Sequence, residues 1–435
     1  MAQIEQTGPS ALELDTPKGP VGNFRWVICG LLFFATAINY IDRQILAILK
    51  PSLSHDLHWS QQDYANIVTA FQFTYALGYL FGGRLMDRFG VKRGLPLAVL
   101  AWSIFAALHG VMRSVMGFSL ARLGLGLAEG GNFPASIKTV SGWFPIQERA
   151  LATGIFNSAS NIGAILCPLT VPLLALKFGW PAAFYITGSL GVVWVAVWML
   201  VYDHPETHPR LSSRERDYIE RGRPPVVETA TPVTWRTLLR DRATVAYMGA
   251  RLLADPVWWF YLFWLPDFLQ KRFHLTSTQM GFRVGVVYTL ASVGSIGGGW
   301  LAAALLGRGW SLNAARKTSL LVCALCVLPV VAASSVANSW VTVLLVGLAA
   351  AAHQGWSANL YTFVSDTMPK RAVSTVVGLG GFAAGIASMG NAQIVGYVLT
   401  ITHNNYVPLF VWASTMYVVA WLFLQLLVPK IEPAA

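Results

Sequence analysis

The chain has 435 residues, of which 55% are hydrophobic and 12% charged, against roughly 25% charged in an ordinary soluble domain. That balance excludes a conventional soluble enzyme or binding domain and indicates an all-α polytopic membrane protein. A net charge of +11 would suggest nucleic acid in a soluble chain, but here the basic residues follow membrane sidedness, and no nucleic-acid partner is expected.

Residues 1–23 hold acidic residues and no apolar run, which reads as a cytoplasmic tail and not a cleaved signal peptide. A membrane-spanning helix needs about 20 mostly apolar residues. Twelve segments meet that need, at about 24–49, 63–84, 94–112, 116–138, 149–175, 181–202, 243–269, 278–305, 317–336, 340–364, 372–399 and 406–428. A polar stretch over 203–241, rich in Arg, Glu and Pro, divides them into two six-helix bundles, 24–202 and 242–428, and a short tail follows over 429–435. With both termini inside, most of the Lys and Arg residues fall on the cytoplasmic side, which satisfies the positive-inside rule for a multi-pass membrane protein.

The first segment carries Asn39, Tyr40, Asp42 and Arg43. Charges inside an apolar span are costly and mark a functional site by default. Adjacent helical residues point about 100° apart, so one of Asp42 and Arg43 turns to a neighbouring helix and the other to the cavity. The second segment presents Gln72, Tyr75 and Tyr79 on one stripe. The fourth holds Arg122 and Glu129, two turns apart on one face and at the depth of Asp42 and Arg43. The fifth adds Asn157, Ser160 and Asn161. A purely structural role for these charges is the weaker reading, because desolvation offsets most of the Coulomb gain of a buried pair.

Charge counting gives a mechanism. With both acids ionised the four charges cancel, and an incoming anion meets no net attraction. Protonating Asp42 or Glu129 leaves a positive site that an anion neutralises, so proton and anion favour each other's binding.

The second half contributes Arg251 and Asp255 one turn apart, then the aromatic run Trp258-Trp259-Phe260-Tyr261. The tenth segment carries His353, Gln354 and Asn359, and the eleventh Asn391. His353 reads either as a proton-relay group or as a satisfied structural histidine. Amide and phenol groups beside an arginine suit a polyhydroxylated acid, although any single one also suits interhelical hydrogen bonding. The four cysteines lie in apolar segments and read as core residues. No metal or cofactor is expected, and no paired histidines or Ser-Lys dyad suggests an enzyme.

The loop after the second segment, Gly82-Gly83-Arg84-Leu85-Met86-Asp87-Arg88-Phe89-Gly90-Val91-Lys92-Arg93-Gly94, resembles the signature loop of the major facilitator superfamily. Its Gly83, Asp87, Arg88, Gly90 and Arg93 are read as a conformational latch. The matching region of the second half, 299–317, lacks the aspartate, so the expected latch is one-sided. Pro145-Ile-Gln-Glu-Arg149-Ala150 and Pro369-Lys-Arg371-Ala372 mark a weak internal repeat, typical of carriers whose site lies between two halves. Asn39-Tyr40-Ile41-Asp42-Arg43, the Arg122 to Glu129 spacing, residues 254–261 and residues 352–359 resemble the anion:cation symporters, and among them bacterial hexuronate transporters. That resemblance implies import of glucuronate or galacturonate with protons by alternating access. It assigns substrate binding to Arg43 and Tyr75, protonation to Asp42 and Glu129, and a link between the two acids to Arg122. Ser160 departs from the pattern of the galactonate carriers, which have a larger polar residue there. An organophosphate:phosphate antiporter using Arg43 and Arg251, a carrier of another anion such as an aldonate, and a non-transporting membrane sensor remain as alternatives. The partners expected are a small organic anion, protons and lipid, with the chain acting as a monomer.

Overall fold

A computed structural model describes residues 22–222, 234–275 and 277–432. Of the expected tails, 1–23 and 429–435, residues 1–21 and 433–435 lie outside the described residues, as does part of the segment between the halves. The described chain is helical: α1 (Phe24–Asp56), α2 (Gln61–Phe89), α3 (Val91–Leu108), α4 (Val115–Glu129), α5 (Asn132–Trp143), α6 (Ile146–Phe178), α7 (Trp180–Val201), α8 (Ser213–Arg221), α9 (Trp235–Leu238), α10 (Arg242–Phe273), α11 (Ser277–Gly307), α12 (Leu312–Val327), α13 (Ser339–Thr367), α14 (Val373–Ile401) and α15 (Val407–Leu427).

Nine of the described helices are long and apolar enough to cross a bilayer. The other three expected spans are α2, the broken pair α4 and α5, and α10. All three carry polar residues of the interior, Gln72, Tyr75 and Tyr79 on α2, Arg122 and Glu129 on α4, Arg251 and Asp255 on α10, and α4, at 15 residues, is too short to cross alone. The fourth expected span is interrupted at Gly130-Gly131, directly after Glu129.

Packing repeats between the halves. In the first, α1 packs on α6, α2 on α4 and α3 on α7; in the second, α10 packs on α14, α11 on α13 and α12 on α15. The halves meet through α2 against α14 and α6 against α11. Each contact has its counterpart after exchange of the halves, which is the signature of a repeated architecture.

Close helix approach is built from glycine. A Cβ at Gly78 of α2 would stand 2.5 Å from the Leu127 carbonyl oxygen, and one at Gly130 would stand 2.4 Å from the Gly78 carbonyl carbon. Small residues four apart let helix backbones touch where lipid supplies no hydrophobic driving force. The contact sets Glu129 against α2.

Both described chain ends lie on one face. Arg25 of α1 reaches Glu148 (2.6 Å) and Glu215 (3.0 Å), while the Ile431 amide donates to Asn313 at the start of α12. The stretch expected as a linker contains α8, whose Glu215 accepts from the Phe24 and Arg25 amides and so caps α1. Its Tyr218 donates to Glu148 (3.1 Å); burial and that carboxylate push the phenol up to about 12.

Candidate functional site

Burial is lopsided along the helices that meet across the halves. On α14, residues 373–381 are buried without a break, whereas Ile386, Met389, Ile394 and Tyr397 are exposed. On α6, residues 156–161 are buried, and Leu166, Leu169, Leu173 and Leu176 are exposed. The halves are pressed together toward the face of the chain ends and part toward the opposite face.

A cavity of about 190 Å³ lies between them. Tyr40, Arg43, Gln72, Tyr75, Asn157, Ser160, Asn161, Arg251, Asp255, Trp258, His353 and Gln354 all line it, from both halves. Asn39, Asn359 and Asn391, expected among the binding residues, do not. Asn39 accepts from Arg43 Nη2 (3.2 Å). Asn359 donates to the Gly298 and Gly355 carbonyls (2.8 and 2.9 Å) and joins α13 to α11; Asn391 donates to the Pro256 carbonyl (3.2 Å) and joins α14 to α10. Each amide serves a backbone or side-chain partner that a bilayer interior cannot satisfy with water.

Arg43 forms the charged centre of the first half. Its guanidinium lies over the rings of Tyr75 and Tyr40, 4.2 and 4.5 Å from their centroids, and donates through Nε (3.2 Å) and Nη2 (3.0 Å) to one oxygen of Glu129. The other Glu129 oxygen has no partner. Asp42 points away from the cavity, 2% exposed, and neither carboxylate oxygen has a hydrogen-bond partner. The reading that Arg122 links the two acids differs from this geometry: its Nη1 and Nη2 approach the Arg43 carbonyl at 3.4 Å, and its Nε is unpartnered. A backbone carbonyl takes the place of the expected carboxylates.

In the second half Arg251 is held by Asp255, by the Tyr361 hydroxyl (2.7 Å) and by the Tyr247 hydroxyl (3.2 Å). Of the aromatic run, Trp258 and Trp259 face the cavity, and Phe260 and Tyr261 pack into the core. Asn157 bridges the halves by donating to Gln354 (2.7 Å) and Ser295 (2.9 Å), while Ser160 turns back to the Asn157 carbonyl. Sequence reasoning missed Tyr288, Phe133 and Tyr361 as lining residues. His353, Ser357 and Tyr361 recur every fourth position on α13, so their shared stripe would have revealed the last.

The face of the chain ends is tied by two sets of contacts. Asp87 accepts from the Thr375 amide (2.6 Å) and hydroxyl (2.7 Å), from the Ser374 amide (3.4 Å) and from Lys138 (2.7 Å). The N-cap position of α14 is Ala372, whose side chain cannot cap, so Asp87 supplies the cap from the other half. Gly83 lies against Ser374 and Gly378, and Gly90, at φ 78°, makes the turn from α2 into α3. Arg88 and Arg93 are exposed. The expectation of a one-sided latch is corrected by the second set. Arg149 donates to the Ser365 carbonyl (2.7 Å) and to Asp366 (3.1 Å), and Arg316 donates to Asp366 (2.8 Å) and to the Ile146 carbonyl (2.9 Å). The second half draws its aspartate from the end of α13 and not from the loop region 299–317.

Comparison with known proteins agrees with this architecture. The family described as Major Facilitator Superfamily matches residues 32–390. The Escherichia coli K12 hexuronate transporter is 30% identical over 380 residues, covering 86% of this chain and 88% of its own. A probable galactarate/D-glucarate transporter of Bacillus subtilis is also 30% identical, over 92% of this chain and 91% of its own. The structure of the proton:xylose symporter XylE superposes with a TM-score of 0.74 at 13% identity, over 95% of this chain and 97% of that one, a likeness of fold.

Proposed function

The chain belongs to the major facilitator superfamily, and from that premise we propose that it imports a sugar-acid anion, a hexuronate, together with protons across a bacterial inner membrane by alternating access. The observation that carries this reading is Arg43 in the wall of an interbundle cavity, paired with Glu129 buried behind it. Arg43 is the group that would hold a ligand carboxylate, with Tyr75 and Tyr40 stacked on it. While Glu129 is ionised it occupies two of the guanidinium's donors. A ligand anion must replace it, and a charged Glu129 left unpaired in a low-dielectric interior is costly.

Protonating Glu129 neutralises it and releases Arg43. The incoming carboxylate then takes the vacated charge-assisted contacts. Proton and substrate become mutually dependent, and linkage makes the dependence reciprocal. Asp42, buried without a partner one residue away, is the second protonation site in this reading. Its cost while ionised favours a proton whenever the neighbouring positive charge is engaged elsewhere.

The contacts at Asp87 and at Arg149, Asp366 and Arg316 would be the latch of an outward-open state. They must break for the cavity to open toward the chain ends, taken here as the cytoplasmic side. The similarity to the hexuronate and galactarate/D-glucarate transporters supports the sugar-acid class. An organophosphate exchanger is less well supported, because Glu129 and Asp255 neutralise the two arginines such a ligand would need.

The test is uptake into proteoliposomes with an imposed pH gradient, comparing glucuronate, galacturonate, galactonate and a sugar phosphate. A hexuronate should accumulate when the outside is acidic and should only equilibrate without the gradient. Accumulation that ignores the gradient, or that prefers the sugar phosphate, would overturn the reading.

A further inference from the structure

His353 stands on the cavity wall opposite the charged centre of the first half, and its surroundings define its protonation pattern. The imidazole lies on the Trp258 indole, centroids 4.8 Å apart and planes 9° from parallel. Its Nδ1 is hydrogen-bonded to the Tyr417 hydroxyl of α15. That hydroxyl also lies 3.2 Å from the Ala254 carbonyl oxygen of α10.

A phenol has one hydrogen to give, and a carbonyl only accepts. If Tyr417 donated to His353, two oxygens bearing lone pairs would face each other at 3.2 Å with no hydrogen between them. Directing the Tyr417 hydrogen to Ala254 removes that conflict and leaves the phenol oxygen to accept from Nδ1–H. The neutral ring then carries a bare Nε2, which makes no hydrogen bond among the described residues. Arg251, on the same wall, directs its donors to Asp255, Tyr247 and Tyr361.

We infer that Tyr417 fixes His353 as a hydrogen-bond acceptor that reads one hydroxyl group of the bound sugar acid and turns away its carboxylate. This rests on the sugar-acid reading above and deepens it. A bare nitrogen lone pair attracts an O–H and repels a carboxylate oxygen. The ligand is therefore oriented, its acid end toward Arg43 and its polyol end toward His353. Tyr417 is a positioning residue that never touches the ligand. The same lock makes His353 a reader of the substrate and not a carrier of the transported proton.

The test measures binding of one hexuronate and its series of monodeoxy analogues to the purified full chain. The variants are His353→Phe, which keeps the ring stack, and Tyr417→Phe, which removes the lock. In the unaltered protein, loss of one particular hydroxyl should weaken binding about tenfold, the worth of one net hydrogen bond. In His353→Phe the parent hexuronate should weaken by the same factor, while the analogue lacking that hydroxyl binds as before. Tyr417→Phe should shrink the discrimination at that position only. Nitrogen-15 spectra of histidine-labelled protein, with the His353 signal identified by its loss in His353→Phe, should show the Nδ1–H form, and Tyr417→Phe should mix in the other.

Equal weakening of the parent and every analogue in His353→Phe, or an Nε2–H ring in the unaltered protein, would overturn this inference while leaving the transport reading intact. Failure of any hexuronate to bind the unaltered protein would overturn both.

Discussion

In the proposed cycle Glu129 and the ligand carboxylate compete for the Arg43 guanidinium, so variants of Glu129 and Arg43 should separate coupling from binding. Glu129→Gln keeps the shape and removes the titration. Exchange of labelled for unlabelled hexuronate across a proteoliposome membrane should persist, and accumulation under a pH gradient should disappear; full gradient-driven uptake would remove Glu129 from the coupling. Arg43→Ala deletes the cation that the ligand carboxylate is expected to meet. A hydrogen bond to a charged group is worth about 1.5–3 kcal/mol, so the dissociation constant measured by calorimetry should rise about 10- to 100-fold. The charged residues were legible in the sequence because charge inside an apolar span is expensive. Their pairing was not. Arg122 and Glu129 share a face of α4, yet the salt bridge runs from Arg43 to Glu129, because the glycines of α2 and α4 and the break at Gly130 decide which side chains approach. Asn39, Asn359 and Asn391 illustrate the same limit: an amide inside a membrane helix satisfies a neighbouring helix as readily as a ligand, and only packing separates the two cases.

The pairing of α2 with α4 depends on backbone contact that tolerates no added atom. A Cβ at Gly130 would meet the Gly78 carbonyl carbon at 2.4 Å and the Tyr79 amide nitrogen at 2.5 Å. Both are main-chain atoms in helices and cannot move aside singly. Gly130→Ala should therefore cost about 1–3 kcal/mol, the range for overpacking, and lower the detergent melting temperature. The control is Gly142→Ala, where the added atom meets nothing within 4 Å; an equal loss there would refute the steric account. At this scale the sequence showed the helices by their apolar runs, and least clearly where function intrudes. The spans α2, α4 with α5, and α10 combine polar side chains with membrane length, and Pro134 at the α4/α5 interruption sits in the first turn of α5, after the break, where a helix tolerates it. Gly130-Gly131 alone could signal a break or a close contact, and here it is both.

Across the whole molecule the two halves were legible as a repeat, but the state in which they rest was not. In this structure the halves are tied by contacts between residues far apart in sequence, such as Arg149 with Asp366, and no sequence pattern announces such pairings. Asp87 gives the most direct handle. It caps α14 from the opposite half, and an N-cap contributes about 0.5–2 kcal/mol, with a further 0.3–1 kcal/mol from the helix dipole acting on a charged cap. Losing about 1.5 kcal/mol shifts a two-state equilibrium about tenfold. Asp87→Ala should move the population toward opening at the face of the chain ends. Asp87→Asn should move it less, because an amide oxygen still caps although the Lys138 charge is left alone. Alkylation of Ser388→Cys in the cavity wall reads the shift, in a background where the half-buried Cys326 is replaced by Ser. A membrane-impermeant thiol reagent added on the opposite face should react more slowly with Asp87→Ala than with the parent, and faster when added on the face of the chain ends. Combining Asp87→Ala with Arg149→Ala should deepen the shift, since the two ties use separate partners and separate sites add. Unchanged reaction rates on both faces would show that these ties do not set the resting state, and the cause would have to lie in the α2–α14 and α6–α11 glycine contacts themselves.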